Sequence, residues 1–297
     1  MLGIGGGGDV VGSLGLARHC EELGTPFVLG GVAWERMPID PHPGPRPAEQ
    51  VSGGRRLGER AVLASRDTTT PEGVPFSESR VAEHLGTETV LIDVSRGAVG
   101  AAEGIATAAG ELDCDLAVYL DVGGDALALG DEPGLASPLC DAVMLAAALR
   151  LAPDLPGAVA VLGAGCDGEL TPEEVLHRVA ALAEAGAWIG TWSLTAEIAD
   201  EVERAARASG TEASMQVVRC ARGETGLAEI RRGRRHVPLG PVGALAFLFD
   251  LDAAAPELTL ARAVVDSVEI EEARATLDAL GVRSELDYER SRAGEGP

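Results

Sequence analysis

The chain has 297 residues, a hydrophobic fraction of 46% with 3% aromatics, and a formal net charge of −23. It contains no lysine, which excludes Schiff-base chemistry, a Walker-type phosphate loop and a Ser–Lys dyad. The acidic field opposes nucleic acid and anionic membrane surfaces as partners, leaving a small molecule as the expected ligand.

In chain order, Met1–Ile4 reads as a short strand leading into "GIGGGGDVVG", where Gly3, Gly5 and Gly8 fit G-x-G-x-x-G at a strand-to-helix turn. A helix is expected over Val10–Leu23, stopped by Gly24. Phe27–Ala33 reads as the second strand, followed by Trp34-Glu35-Arg36. From Glu35 to Gly54 runs "ERMPIDPHPGPRPAEQVSGG", whose prolines forbid helix or central strand. A loop of this length reads as a lid or wall over the glycines. Ala61–Ala64 and Val90–Val94 read as strands, with a helix over Glu78–Leu85 between them. Next come a helix over Ala98–Ala109, a strand over Leu116–Leu120, and "DVGGD" from Asp121 to Asp125. Ser137-Pro138 opens a helix over Pro138–Leu151, with Ser137 as its cap. The strand Val159–Leu162 runs into "GAGCDGEL", and Thr171-Pro172-Glu173-Glu174 starts a helix over Pro172–Ala185. Leu245–Phe249 is the last expected strand; residues 1–283 form one domain and 284–297 a polar tail.

The strands are continuous apolar runs rather than alternating ones, as in strands buried on both faces. Their alternation with helices implies an α/β fold. The expected form is Rossmann-like and doubly wound, with a mainly parallel sheet and helices on both faces. The five cysteines are scattered, with no zinc or redox spacing, and fit a reducing cytoplasm. No apolar run is long enough to span a bilayer.

In a doubly wound sheet, ligands sit beyond the carboxyl ends of the strands. Gly5, Gly6, Gly7, Gly8 and Asp9 follow the first strand there, and backbone N–H groups at a helix start suit an anion. Asp9 is awkward beside a phosphate unless a cation or arginine intervenes. Glu35 ends the second strand, where a dinucleotide site keeps its ribose-binding acid. Gly123, Gly124, Ser137 and Gly165 lie on the same rim, and Gly163, Gly165 and Gly168 repeat the glycine spacing. Asp121 with Asp125, and Asp167 with Glu169, offer hard oxygen ligands for magnesium; Asp131 with Glu132 is a further pair. Asp125, Asp167 and Arg36 are the catalytic candidates: the aspartates as base or metal ligand, the arginine as a bidentate charge. No G-x-S-x-G elbow is present, and Cys166 has no sequence-linked histidine.

The blocks "GIGGGGDVVG", "GGVAWERMPIDPHPGPR", "GGDALALGDEPGLASPLCDAVMLAA" and "GAGCDGELTPEEV" resemble the largely archaeal family named domain of unknown function 1152. The resemblance runs from Gly3 to about Glu174 and weakens beyond. Gly5–Asp9, Trp34–Arg36, Asp40, Gly123–Asp125, Ser137, Asp141 and Asp167–Glu169 match its pattern. It implies no activity.

The residues therefore point to a cytosolic enzyme acting on a phosphorylated or nucleotide-like small molecule at the glycine loop, with magnesium as the candidate cation. An NAD(P)-dependent oxidoreductase is the alternative, and a ligand-binding or regulatory protein without chemistry is a third reading.

Overall fold

The computed structural model describes residues 1–37 and 39–294. Pro38 of the proline-rich loop and residues 295–297 of the expected tail lie outside them. The elements in chain order are β1 (Leu2–Gly3), α1 (Asp9–Glu22), β2 (Gly30–Val32), β3 (Arg55–Leu57), β4 (Ala61–Ala64), α2 (Ser77–Leu85), β5 (Thr89–Ile92), α3 (Gly97–Glu111), β6 (Ala117–Val122), α4 (Pro138–Leu151), β7 (Gly157–Leu162) and α5 (Pro172–Glu184). They continue with β8 (Trp188–Ser193), α6 (Ala196–Ser209), α7 (Glu212–Ala221), β9 (Gly226–Ile230), β10 (Arg235–Leu239), β11 (Leu245–Asp250), α8 (Leu251–Ala254), α9 (Thr259–Ala263), α10 (Ile270–Ala279) and α11 (Glu285–Gly294). Among the described residues no helix is long and apolar enough to cross a membrane.

The fold is α/β, but its sheet is mixed rather than mainly parallel. Nine strands run in the order β3-β4-β5-β2-β1-β6-β7-β11-β8. The central strands β5-β2-β1-β6-β7 are parallel. Each flank adds two antiparallel strands: β4 pairs with β5 and β3 with β4, while β11 pairs with β7 and β8 with β11. Apolar runs mark burial, not direction, so Ala61–Ala64 and the last strand could be located in the sequence without their orientation.

Alternate residues of the central strands feed two cores. Tyr119 of β6 and Val159 and Val161 of β7 face α3 and α4. Val118, Leu120 and Val122, with Ala158, Ala160 and Leu162, face α1, α6 and α7. Helices thus cover both faces. Helix α4 is buried over nearly its whole length, which its all-round apolar sequence requires. Helix α5 starts at Thr171-Pro172 as expected, and the structure adds a capping box in which Thr171 and Glu174 bond reciprocally.

The proline-rich loop is packed rather than lid-like. Arg46 forms a buried fork on Asp40 (2.7 and 2.6 Å), and the Ala48 N–H donates to Asp93 (3.0 Å). The expected tail is also corrected. From residue 285 the chain is helical, and α11 buries Glu285, Leu286 and Glu289 against the site end of the sheet.

Candidate acidic metal centre

Beyond the carboxyl ends of β1, β6 and β7 the chain brings six carboxylates together. Asp9, Asp121 and Asp141 form one triad, and Asp125, Asp167 and Glu169 a second. Within each triad the ligand oxygens lie within 4.8 Å of one another. That spread suits oxygens around one hard cation with bonds of about 2.1–2.4 Å.

Each acid is placed by local backbone. Asp9 opens α1, and its Oδ2 accepts the Gly5 N–H (2.8 Å). Asp121 is the penultimate residue of β6, and its Oδ2 accepts from Gly124 (2.8 Å) and Ala126 (3.4 Å). Asp125 follows the two-glycine turn, directly after the Gly124 whose N–H is held by Asp121. Asp167 accepts the Glu169 N–H (3.2 Å) in the turn after β7. Asp141 stands in the first turn of α4, 2% exposed, and its Oδ1 has no hydrogen-bond partner.

The glycines make room for these acids. A β-carbon on Gly123, at φ +135°, would lie 2.3 Å from the Asp167 carboxyl carbon. One on Gly5 would lie 2.7 Å from Asp9 Oδ2 and 3.3 Å from Asp141 Oδ1. The two glycine turns are tied by the Gly165 N–H donating to Gly123 O (2.7 Å). Two N–H groups of the first loop are therefore taken within the fold. The Gly5 N–H serves Asp9, and the Gly7 N–H donates to Trp34 O (3.1 Å). Gly6 and Gly7 take left-handed conformations, and Gly8 packs against Thr211 at the start of α7.

Electrostatics divide the six acids. Burial first, then mutual repulsion, raises Asp9, Asp125, Asp141 and Asp167 well above the usual carboxylate range. Burial pushes Asp121 up to about 6 against its two backbone donors. Burial works against charge on Glu169 too, yet Arg231, the Ser137 hydroxyl and Arg235 hold it below the ordinary value. Glu169 accepts from the Ala136 N–H (2.7 Å), the Ser137 N–H (2.8 Å) and Ser137 Oγ (2.6 Å), with Arg231 at 3.4 Å. Ser137 thus bonds to Glu169 rather than capping α4 with its side chain.

Two expected residues do other work. Arg36 lies between Glu289 (3.1 Å) and Glu285 (3.3 Å), donates to Gly5 O (3.2 Å) and sits over the Trp34 ring. It braces α11 to the glycine loop and is not a free charge for substrate. Glu35 accepts the Ser77 N–H at the start of α2 and lines a cavity of about 230 Å³ with Ser77, Arg80 and Ser209. It is absent from both triads. Asp131 contributes to neither triad, and Glu132 caps its own turn through the Leu129 and Gly130 N–H groups. Buried Cys166 donates to Gly243 O and belongs to neither triad. A third group, Asp40, His42 and Glu72, already holds Arg46 at 2.6 Å from Asp40 and 3.1 Å from Glu72.

Sequence reasoning gave Asp141 no ligand role, although an aspartate in the first turn of a helix whose one other charge is Arg150 was a readable signal. It did not reach Arg231 and Arg235 of the β9–β10 hairpin, or Glu285 and Glu289 of α11. Glu285 accepts the Leu139 and Cys140 N–H groups (3.0 and 2.9 Å) and so fixes the start of α4, where Asp141 stands. Arg231 and Arg232 at the hairpin tip both have positive φ, a conformation costing about 1 kcal/mol or more per non-glycine residue.

No curated protein and no solved structure matches the chain. The profile of the family described as "Protein of unknown function (DUF1152)" matches residues 1–293. The blocks that carry the acids lie inside that match, and the chain belongs to the DUF1152 family.

Proposed function

We propose that the chain is an enzyme acting on a phosphorylated or nucleotide-like small molecule through a divalent cation, magnesium in first place, held by the acidic cluster. The observation that carries this reading is the convergence of six carboxylates at the reversal of strand order between β1 and β6. Numbered by themselves in chain order, the five parallel strands run three-two-one-four-five across the sheet. That is the order of doubly wound nucleotide-binding sheets, whose ligands sit in the crevice at the reversal. An anionic substrate approaches so acidic a crevice only with a cation between. The cation would polarise a phosphoryl oxygen, and Asp125 or Asp167 would serve as a metal ligand or as the base for water or a substrate hydroxyl. Arg231, whose side chain is 44% exposed beside Glu169, supplies the cationic contact first expected of Arg36.

The strand order and glycine loop also favour the NAD(P)-dependent alternative. Against it, Asp9 occupies the loop N–H that a pyrophosphate would use, and Glu35 is tied to Ser77. Thermal-shift titration of chelated protein with nucleotides, sugar phosphates, NAD(H) and NADP(H), with and without Mg²⁺, separates the readings. We expect stabilisation by a phosphorylated ligand only with Mg²⁺, reduced at least tenfold in affinity in Arg231→Ala. Stabilisation by a dinucleotide without cation would overturn the proposal in favour of the alternative. A ligand recovered unchanged after long incubation would favour the binding protein without chemistry.

A further inference from the structure

We infer that the acidic cluster is a two-cation centre, one divalent ion in the triad Asp9, Asp121 and Asp141 and a second in the triad Asp125, Asp167 and Glu169. The inference deepens the reading above and rests on it only for the role of the ions, not for their binding. Its first support is geometric: the six acids fall into two compact groups, each small enough for the oxygens of one cation. The groups are neighbours, because Asp121 of the first accepts the N–H of Gly124, the residue next to Asp125 of the second (2.8 Å).

The second support is independent of the clustering. Asp141 is 2% exposed, and its Oδ1 has no hydrogen-bond donor. A buried carboxylate oxygen without a donor is costly unless something electropositive faces it. What faces it is the glycine loop, where the position of a Gly5 β-carbon lies 3.3 Å from that oxygen and 2.7 Å from Asp9 Oδ2. Asp141 is thus aimed at Asp9, across a point where only glycine leaves space.

Charge balance supports two ions rather than one. Among the described residues, Asp9, Asp121, Asp125, Asp141 and Asp167 have no arginine or histidine within ion-pair distance. The arginines at the site pair with Glu169, Glu285 and Glu289 and not with these aspartates. Ionised as ligands, the five aspartates are nearly balanced by two divalent ions and not by one. Oxygen-only donors select Mg²⁺, Mn²⁺ or Ca²⁺ over softer metals.

Manganese alone is the probe. Chelator-treated full-length protein is titrated with Mn²⁺ by calorimetry, and the product is examined by electron paramagnetic resonance. We expect two Mn²⁺ per chain and a broadened signal from two interacting ions. Asp141→Asn should weaken one site at least tenfold and leave the six-line spectrum of an isolated ion; Asp167→Asn should do the same for the other site. Saturation of the wild type at one Mn²⁺, or two ions without magnetic interaction, would overturn the inference. The wild-type titration decides even where a variant fails to fold. Two bound ions with no phosphorylated ligand would overturn the function proposed above and leave the centre standing. One ion with such a ligand would do the reverse.

Discussion

Gly7 and Gly123 both have positive φ, yet the space around them differs. A β-carbon at Gly7 meets only the Arg36 stem at 3.4 Å, an ordinary contact, so Gly7→Ala pays backbone strain alone. We expect a loss of about 1 kcal/mol, or roughly 2–4 °C in melting temperature, with Mn²⁺ affinity changed less than twofold. The same substitution at Gly123 drives a methyl into the Asp167 carboxylate. Gly123→Ala should therefore lose at least tenfold in Mn²⁺ affinity by calorimetry. Equal metal affinity in the two variants would show that the glycines serve packing only. Asp121 carries a pH prediction. Its carboxyl is raised to about 6 in the folded chain from an ordinary value near 3.8. A raised carboxylate contributes stability that is complete below the unfolded value and is lost as pH rises through the folded one. In chelator-treated protein, Asp121→Asn should gain on the wild type from pH 4.5 to 7.5, by up to about 3 kcal/mol. Urea denaturation at each pH measures the difference; a pH-independent gap would refute it. Saturating Mg²⁺ should reverse the sign above pH 6, because the wild type then has its counter-ion.

Helix α11 is the element least legible in the sequence. Its first residues read as a tail because they are polar, and the apolar-face rule finds only Leu286 to bury. The helix is held instead by acids turned inward. Glu289 accepts from Trp34 Nε1 (3.1 Å), Arg36 Nε (3.1 Å) and the Gly44 N–H (2.9 Å). Removing one partner of a buried ion pair leaves the other charge uncompensated, at about 3–5 kcal/mol. Glu289→Ala should therefore cost about 3 kcal/mol in urea denaturation, where a loose tail would lose less than about 0.5 kcal/mol. The same physics hid other elements. Strand β8, Trp188–Ser193, is an edge strand without a buried side chain, so it shows no continuous apolar run. The β9–β10 hairpin turns through Arg231 and Arg232 rather than the Asn-Gly that signals such turns. By contrast Ala61–Ala64, Pro138–Leu151 and the helix start at Thr171 were readable, because burial and capping there follow local rules. The site was half legible for a related reason. Asp9, Asp121, Asp125, Asp167 and Glu169 stand beside glycines at strand ends, where a sequence announces a turn. Asp141, Arg231 and Glu285 reach the site from a helix start, a hairpin and the far end of the chain, which only the tertiary fold brings near.

At the scale of the whole molecule, the net charge of −23 and the acidic centre make separable contributions to stability. Surface carboxylates repel one another through solvent, and any salt screens them over a Debye length of about 10 Å at 0.1 M. The buried acids are screened little by sodium, since a monovalent ion gains too little to displace the backbone and aspartate contacts around it. A divalent ion that binds only the folded chain stabilises it by mass action, about 2.7 kcal/mol at a hundred times its dissociation constant. Melting temperatures in MgCl₂ and in NaCl of matched ionic strength should therefore both rise above the low-salt value, with MgCl₂ several degrees higher. The excess, not the common rise, belongs to the acidic centre. In the double variant Asp141→Asn, Asp167→Asn the excess should vanish while the common rise persists, because the surface charge is almost unchanged. If the excess persists in the double variant, Mg²⁺ acts on the surface field as a whole, and the convergence of acids at β1, β6 and β7 is not where the cation binds.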